Sequence, residues 1–153
     1  AQEVVALPDH QPFPKAFAGE WRYVRLDLGP SAVGPINGLP TWTIEGLLVG
    51  FAARPSSYRD IAGLGQWLEF ATLQADTDAV IRLLESQNSA TRQRAAYLFS
   101  AAFVQEKAAE VLRRFPPIHP VWLGPREPGG HFDRACMVND TLLRKYLSIG
   151  VGA

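Results

Sequence analysis

Apolar positions along this chain change period twice. Between Thr41 and Phe115 they recur every three or four residues; on either side they alternate, or come in short runs broken by Gly and Pro. The helical period is cleanest in DTDAVIRLLESQ, where Val80, Ile81, Leu83 and Leu84 share a face behind Asp76 or Thr77 as cap. TIEGLLVGFAAR brings Ile44, Leu47, Leu48 and Phe51 together, with Thr43 as N-cap and Pro55 as the stop. In SSYRDIAGLGQWLEFATL the stripe is Ile61, Leu64, Trp67, Leu68 and Ala71, with Ser56 or Ser57 as the expected cap and Asp60 in the first turn. Gly63 and Gly65 weaken that helix and leave a break into two pieces open. SATRQRAAYLFSAAF, capped by Ser89, turns Ala95, Leu98, Phe99, Ala102 and Phe103 inward. QEKAAEVLRRF ends with Arg113 and Arg114, cations suited to the negative end of a helix dipole, and Pro116 and Pro117 stop it. The pattern predicts helices over 44–54, 57–72, 77–86, 90–103 and 105–114.

The flanks read as β. EVVAL and EWRYVRLDL are strand-like, rich in β-branched and aromatic residues, with Pro8, Pro12, Pro14 and Gly19 between them. LGPSAVGPINGLP is expected to be loop with room for one short strand. HPVWL and RACMVN supply strands after the helices, separated by GPREPGG. Strands are therefore expected near 21–28, 119–123 and 134–139. The order β (1–40), α (41–115), β (116–153) predicts a single α+β domain, with a small mixed or antiparallel sheet carrying a cluster of five helices.

Composition narrows function more than fold. A chain of 153 residues buries roughly 70% of its unfolded surface, enough for a real core. Lys and Arg balance Asp and Glu at 15 each, so no whole-molecule field draws in nucleic acid or membrane, and any such binding needs a local patch. The lone cysteine, Cys136, excludes an internal disulfide and suits a reducing cytoplasm. No apolar run is long enough to span a bilayer. The opening AQEVVALPDHQPFPKAF has no charged leader or long apolar core, and begins without Met; it reads as a processed chain or a piece of a longer protein.

Catalytic patterns are missing. His10, His119 and His131 stand in separate loops without metal-ligand spacing, so no metal or other cofactor is expected. Cys136 and His131 are the one conceivable nucleophile–base pair, but ACMV reads as core. GPREPGG lacks the Lys-Ser/Thr ending of a phosphate loop, GLGQW is not a dinucleotide fingerprint, and Asp76 and Asp78 sit where a helix start favours acids anyway. Binding is the remaining option. Arg92, Gln93, Lys107, Arg113 and Arg114 are the candidate partner-binding residues, on two successive helices. Within the triplet, Arg94 flanks the apolar stripe and is expected to tether the helix, while Arg92 and Gln93 face outward, Gln93 furthest from the core.

The series TWTIEGLLVGF, IAGLGQWLEF, IRLLESQNSATRQRAAYLFSAA, VWLGP and FDRACMVND resembles the C-terminal domain of AbiEi-type antitoxins, over roughly residues 20 to 140. Thr43-Ile44-Glu45 stands where the family has Thr-Pro-Glu; LLVGF lacks the aspartate that usually follows the double leucine. Gln93, Arg94, Tyr97 and Leu98 match its Gln-Arg-Leu-Gly-Tyr-Leu, and Asp133, Arg134, Val138 and Asn139 its closing strand. The resemblance implies a non-enzymatic antitoxin and transcriptional regulator of a type IV system, countering a nucleotidyltransferase-like toxin. It also implies operator binding through an N-terminal winged helix-turn-helix that this sequence does not contain. Alone, the chain is expected to bind DNA weakly, on the order of 10⁻⁴–10⁻⁶ M. The alternative reading is a small ligand-binding or enzymatic domain with a site near Trp42 and Trp67. A cleft with convergent polar groups would favour it; a convex basic surface would favour the antitoxin.

Overall fold

A computed structural model describes residues 3–7, 21–26, 28–36 and 39–147. These residues form an α+β fold with five α-helices and seven short strands, the strands divided among three small sheets rather than gathered in one. Strands β1 (Glu3–Leu7) and β2 (Trp21–Arg25) pair in parallel. Strands β3 (Val33–Ile36) and β4 (Leu39–Trp42) make an antiparallel hairpin, two strands where the stretch was expected to be loop with room for one. Pro and Gly hide the alternation there, but a hairpin this short needs little of it.

Helix α1 (Ile44–Ala53) starts where Thr43 predicts: its hydroxyl oxygen accepts the Gly46 N–H at 3.0 Å, and its own N–H donates to the Ala32 carbonyl at 2.9 Å. Helix α2 (Ile61–Gln74) begins four residues later than expected. Pro55 opens a short 3₁₀ turn that uses up Ser56 and Ser57, and Asp60 takes over the cap by accepting from Gly63 N–H at 3.0 Å. The helix runs unbroken through Gly63 and Gly65. A side chain at 65 would collide with the Tyr146 carbonyl, so glycine there permits close packing rather than breaking the helix. Helix α3 (Thr77–Leu84) is capped by Asp76, whose N–H is held by Glu45 of α1 at 2.9 Å. Helix α4 (Ser89–Ala101) is capped by Asn88, one residue before the expected Ser89, through the Thr91 N–H at 2.9 Å. Helix α5 (Gln105–Arg114) follows.

The last sheet runs β5–β7–β6: β5 (Val121–Leu123) parallel to β7 (Val138–Asp140), and β6 (His131–Asp133) antiparallel to it. Strand β6 was not anticipated, and β7 lies later than the expected 134–139. Residues 134–137 form the β6–β7 turn, with Met137 in the left-handed region at φ 55° and the Asp133 carboxylate accepting the Cys136 N–H at 2.9 Å. Helices α1 and α4 make the centre of the core. Leu48, Val49, Phe51 and Ala52 of α1 meet Ala95, Ala96, Tyr97, Leu98 and Phe99 of α4, all buried, and Leu123 and Val138 close the core from the sheet.

Candidate functional site

The side chains expected to form one basic face are directed to different places. Gln93 is buried, not exposed. Its amide donates to the carbonyls of His119 at 2.7 Å and Cys136 at 3.0 Å, and its Oε1 accepts the Ile118 N–H at 3.3 Å. The expected outward direction assumed that α4 has a wet side. It has almost none in this stretch, because Thr91, Ala95, Ala96 and Tyr97 are buried around it as well. Lys107 folds onto the end of α2, where its ammonium donates to the carbonyls of Thr72, Leu73 and Ala75 at 2.7–2.9 Å. These are orphan acceptors of a helix C-terminus, where a cation is well placed. Arg92 does the same for α3, donating from Nε to Leu84 O at 2.9 Å and from Nη2 to Glu85 O at 2.7 Å, with its guanidinium 4.2 Å above the Phe115 ring. Arg114 covers the same ring at 4.9 Å and pairs with Glu85 at 3.7 Å. Arg113 and Arg114 remain exposed.

The other candidates sort as follows. Cys136 is fully buried, and burial followed by the nearby Asp133 pushes its thiol well above the usual range, so it packs as a core residue. His119 and His131 lie apart on the segments before β5 and in β6; His10 lies outside the described residues. Among the described residues no group of three or more His, Cys, Asp or Glu side chains is placed to hold a metal ion. No described helix is long and apolar enough to cross a membrane. The ring of Trp42 packs on α1 at Gly50, where an added side chain would collide with it, and it belongs to the edge of the core.

A cleft opens elsewhere than at Trp42 and Trp67. It is a groove of about 700 Å³ between the Tyr58 segment, the first turns of α4 and β5. Arg94 lies along it, as the tether that its position beside the stripe predicts: Nε donates to Trp122 O at 2.8 Å and Nη1 to Ala52 O at 3.2 Å. Burial alone lowers its affinity for a proton. Tyr58 stands opposite, its ring edge-on to Phe51 at 5.3 Å, and burial pushes its hydroxyl up to about 12. Trp122, Pro125, His119 and Arg126 complete the walls. Polar groups thus converge in a cleft, the feature that favours a ligand-binding reading, though not where the sequence placed it. Residue spacing could not reveal the groove, since Tyr58, Arg94 and Trp122 come from three distant segments. The one available signal was an aromatic and an arginine, Trp122 and Arg126, bracketing a Gly-Pro turn.

No family model matches the sequence, and no curated protein matches it. The fold is similar to that of a solved structure, the crystal structure of RV2827C protein from Mycobacterium tuberculosis, with a TM-score of 0.83 and 21% identity. The match covers 100% of this chain and 59% of that one, so this chain spans less than two thirds of that chain's length. At that identity the likeness is one of fold.

Proposed function

We propose that this chain is a non-enzymatic antitoxin and regulatory domain of the AbiEi type, countering a nucleotidyltransferase-like toxin. The supporting observation is where the residues of the resemblance fall. Thr43 caps α1 and ties it to Ala32; Gln93, Arg94 and Tyr97 of α4 each bond across to the C-terminal segment; Asp133 holds the β6–β7 turn. Separate sequence fragments thus describe one connected framework, as a fold signature does. The engaged side chains of the series favour a binding domain over an enzyme, but the Tyr58–Arg94–Trp122 groove and the dispersed basic side chains favour a ligand-binding domain as the second reading. Arg92, Gln93 and Lys107 are no longer proposed as partner contacts on this ground. The end of α5, with Arg113 and Arg114 exposed, is the surface left for a partner.

The test is growth rescue. Expressed with a nucleotidyltransferase-like toxin of a type IV system, the chain is expected to restore growth, and the charge reversal Arg113→Glu to weaken rescue without lowering thermal stability. A folded chain that leaves growth arrested removes the antitoxin reading.

A further inference from the structure

We propose that the groove between Tyr58, Arg94 and Trp122 binds a small organic anion: a flat apolar body carrying one carboxylate or phosphate. The argument starts from Arg94. A guanidinium has five N–H donors. Two are used on the Trp122 and Ala52 carbonyls, which fix its plane. The remaining three have no acceptor among the described residues, and Arg94 forms no ion pair there. A partly buried cation without a counter-charge costs free energy that a ligand anion recovers. The groove lining contains a second arginine, Arg126, and no Asp or Glu. Nothing in its walls competes for an incoming anion.

The rest of the lining selects what carries the charge. Trp122 and Pro125 offer apolar surface, and Tyr58 adds a ring whose hydroxyl makes no hydrogen bond among the described residues and stays a donor at neutral pH. A volume of about 700 Å³ lies within the range of small-molecule sites. A peptide adding to the sheet fits less well. Val121 N–H donates to Met137 O and Leu123 O accepts from Thr141 N–H, so Trp122 turns its backbone to the open edge of β5. That edge is three residues long, Arg94 occupies its carbonyl, and Pro120 and Pro125 blunt its ends, which leaves no ladder to extend.

The inference stands independently of the antitoxin reading and is tested by titration calorimetry on the 153-residue chain. The probes are adenosine 5′-monophosphate and indole-3-acetate, with adenosine, indole, inorganic phosphate and acetate as controls. At least one ring-bearing anion should bind with Kd below about 1 mM, roughly tenfold or more tighter than its neutral ring and than its bare anion. Which of the two binds better distinguishes phosphate from carboxylate. Arg126→Ala, an exposed position whose loss leaves the fold intact, should weaken binding about tenfold, the scale of a charge-assisted hydrogen bond. Tyr58→Phe should weaken it severalfold. The proposal is overturned if neither ring-bearing anion binds below that limit, if bare phosphate or acetate binds as well as they do, or if affinity is unchanged in both Arg126→Ala and Arg94→Lys.

Discussion

The Tyr97 hydroxyl, buried on α4, donates to the Asp140 carboxylate at 2.6 Å, joining the central helix to the end of β7. Asp140 is itself buried, and the same carboxylate accepts the N–H groups of Leu142, Leu143 and Arg144 at 2.7–2.9 Å. It therefore folds the turn after β7 around itself and anchors that turn to α4. Removing the two partners has unequal consequences. Tyr97→Phe leaves the carboxylate three donors and should cost about 1–2 kcal/mol. Asp140→Ala strands three amides and a hydroxyl together and should cost about 3 kcal/mol or more. Urea unfolding of both variants checks the order; equal losses would mean that the turn does not depend on the carboxylate.

The triplet at the start of α4 gives a second ranking. Gln93→Leu leaves two carbonyls and an amide without partners in the interior and should cost about 2–3 kcal/mol. Arg94→Ala should cost about 1–2 kcal/mol through its two carbonyl bonds. Arg92→Ala should cost about 1 kcal/mol, since it removes both a helix cap and a cation held over Phe115. Thermal unfolding in the order Gln93, Arg94, Arg92 is the expected outcome. A silent Gln93→Leu would place that side chain outside the core.

The same triplet shows what was legible in the sequence. All five helices could be located because apolar period survives local noise, and Arg94 could be assigned from its angle to the stripe. Gln93 could not. A polar residue is acceptable inside when backbone groups satisfy it, and its acceptors lie 26 and 43 residues away, beyond any periodicity. Helix starts slipped where two polar residues compete for one cap, as Ser57 and Asp60 do, or Ser89 and Asn88. A strand interrupted by Gly and Pro, such as β3, or one of only three residues, such as β6, carries too few positions to show alternation. The groove is assembled by tertiary contact between segments whose residue types look unremarkable one at a time.

Alkaline pH offers a third test. Tyr58 keeps its proton to about pH 12 in the fold, whereas an unfolded tyrosine loses it near 10. Below 10 both states hold the proton and stability is unaffected; between 10 and 12 only the folded state holds it, so stability falls with rising pH. Two units correspond to about 2–3 kcal/mol for a group this buried. Tyr97 shifts in the same direction, first through burial and then through Asp140. Tyr58→Phe should flatten the loss of stability above pH 10, measured by denaturant unfolding at stepped pH. An unchanged slope would show the hydroxyl to be solvated.

The end of α4 supplies the last prediction. The sequence pattern turns Phe103 inward, yet it is 58% exposed, because the helix stops at Ala101 and Phe103 takes a left-handed backbone at φ 62°. Its N–H donates to Ser100 O at 3.0 Å, and the next N–H, of Val104, reaches back to Phe99 O at 2.8 Å. This is the helix-ending arrangement in which glycine is favoured, since a side chain in that conformation costs roughly 1–2 kcal/mol. Inside a helix, glycine is the less stable choice than alanine by about 1 kcal/mol. Here the order should reverse. Phe103→Ala keeps the strain and gives up only exposed ring surface, whereas Phe103→Gly relieves the strain and loses part of the gain to the freer unfolded chain. Phe103→Gly should therefore melt higher than Phe103→Ala, by about 1 kcal/mol in unfolding free energy. Alanine as the more stable of the two would show that residue 103 leaves the left-handed region in solution, and that α4 continues toward α5 instead of ending at Ala101.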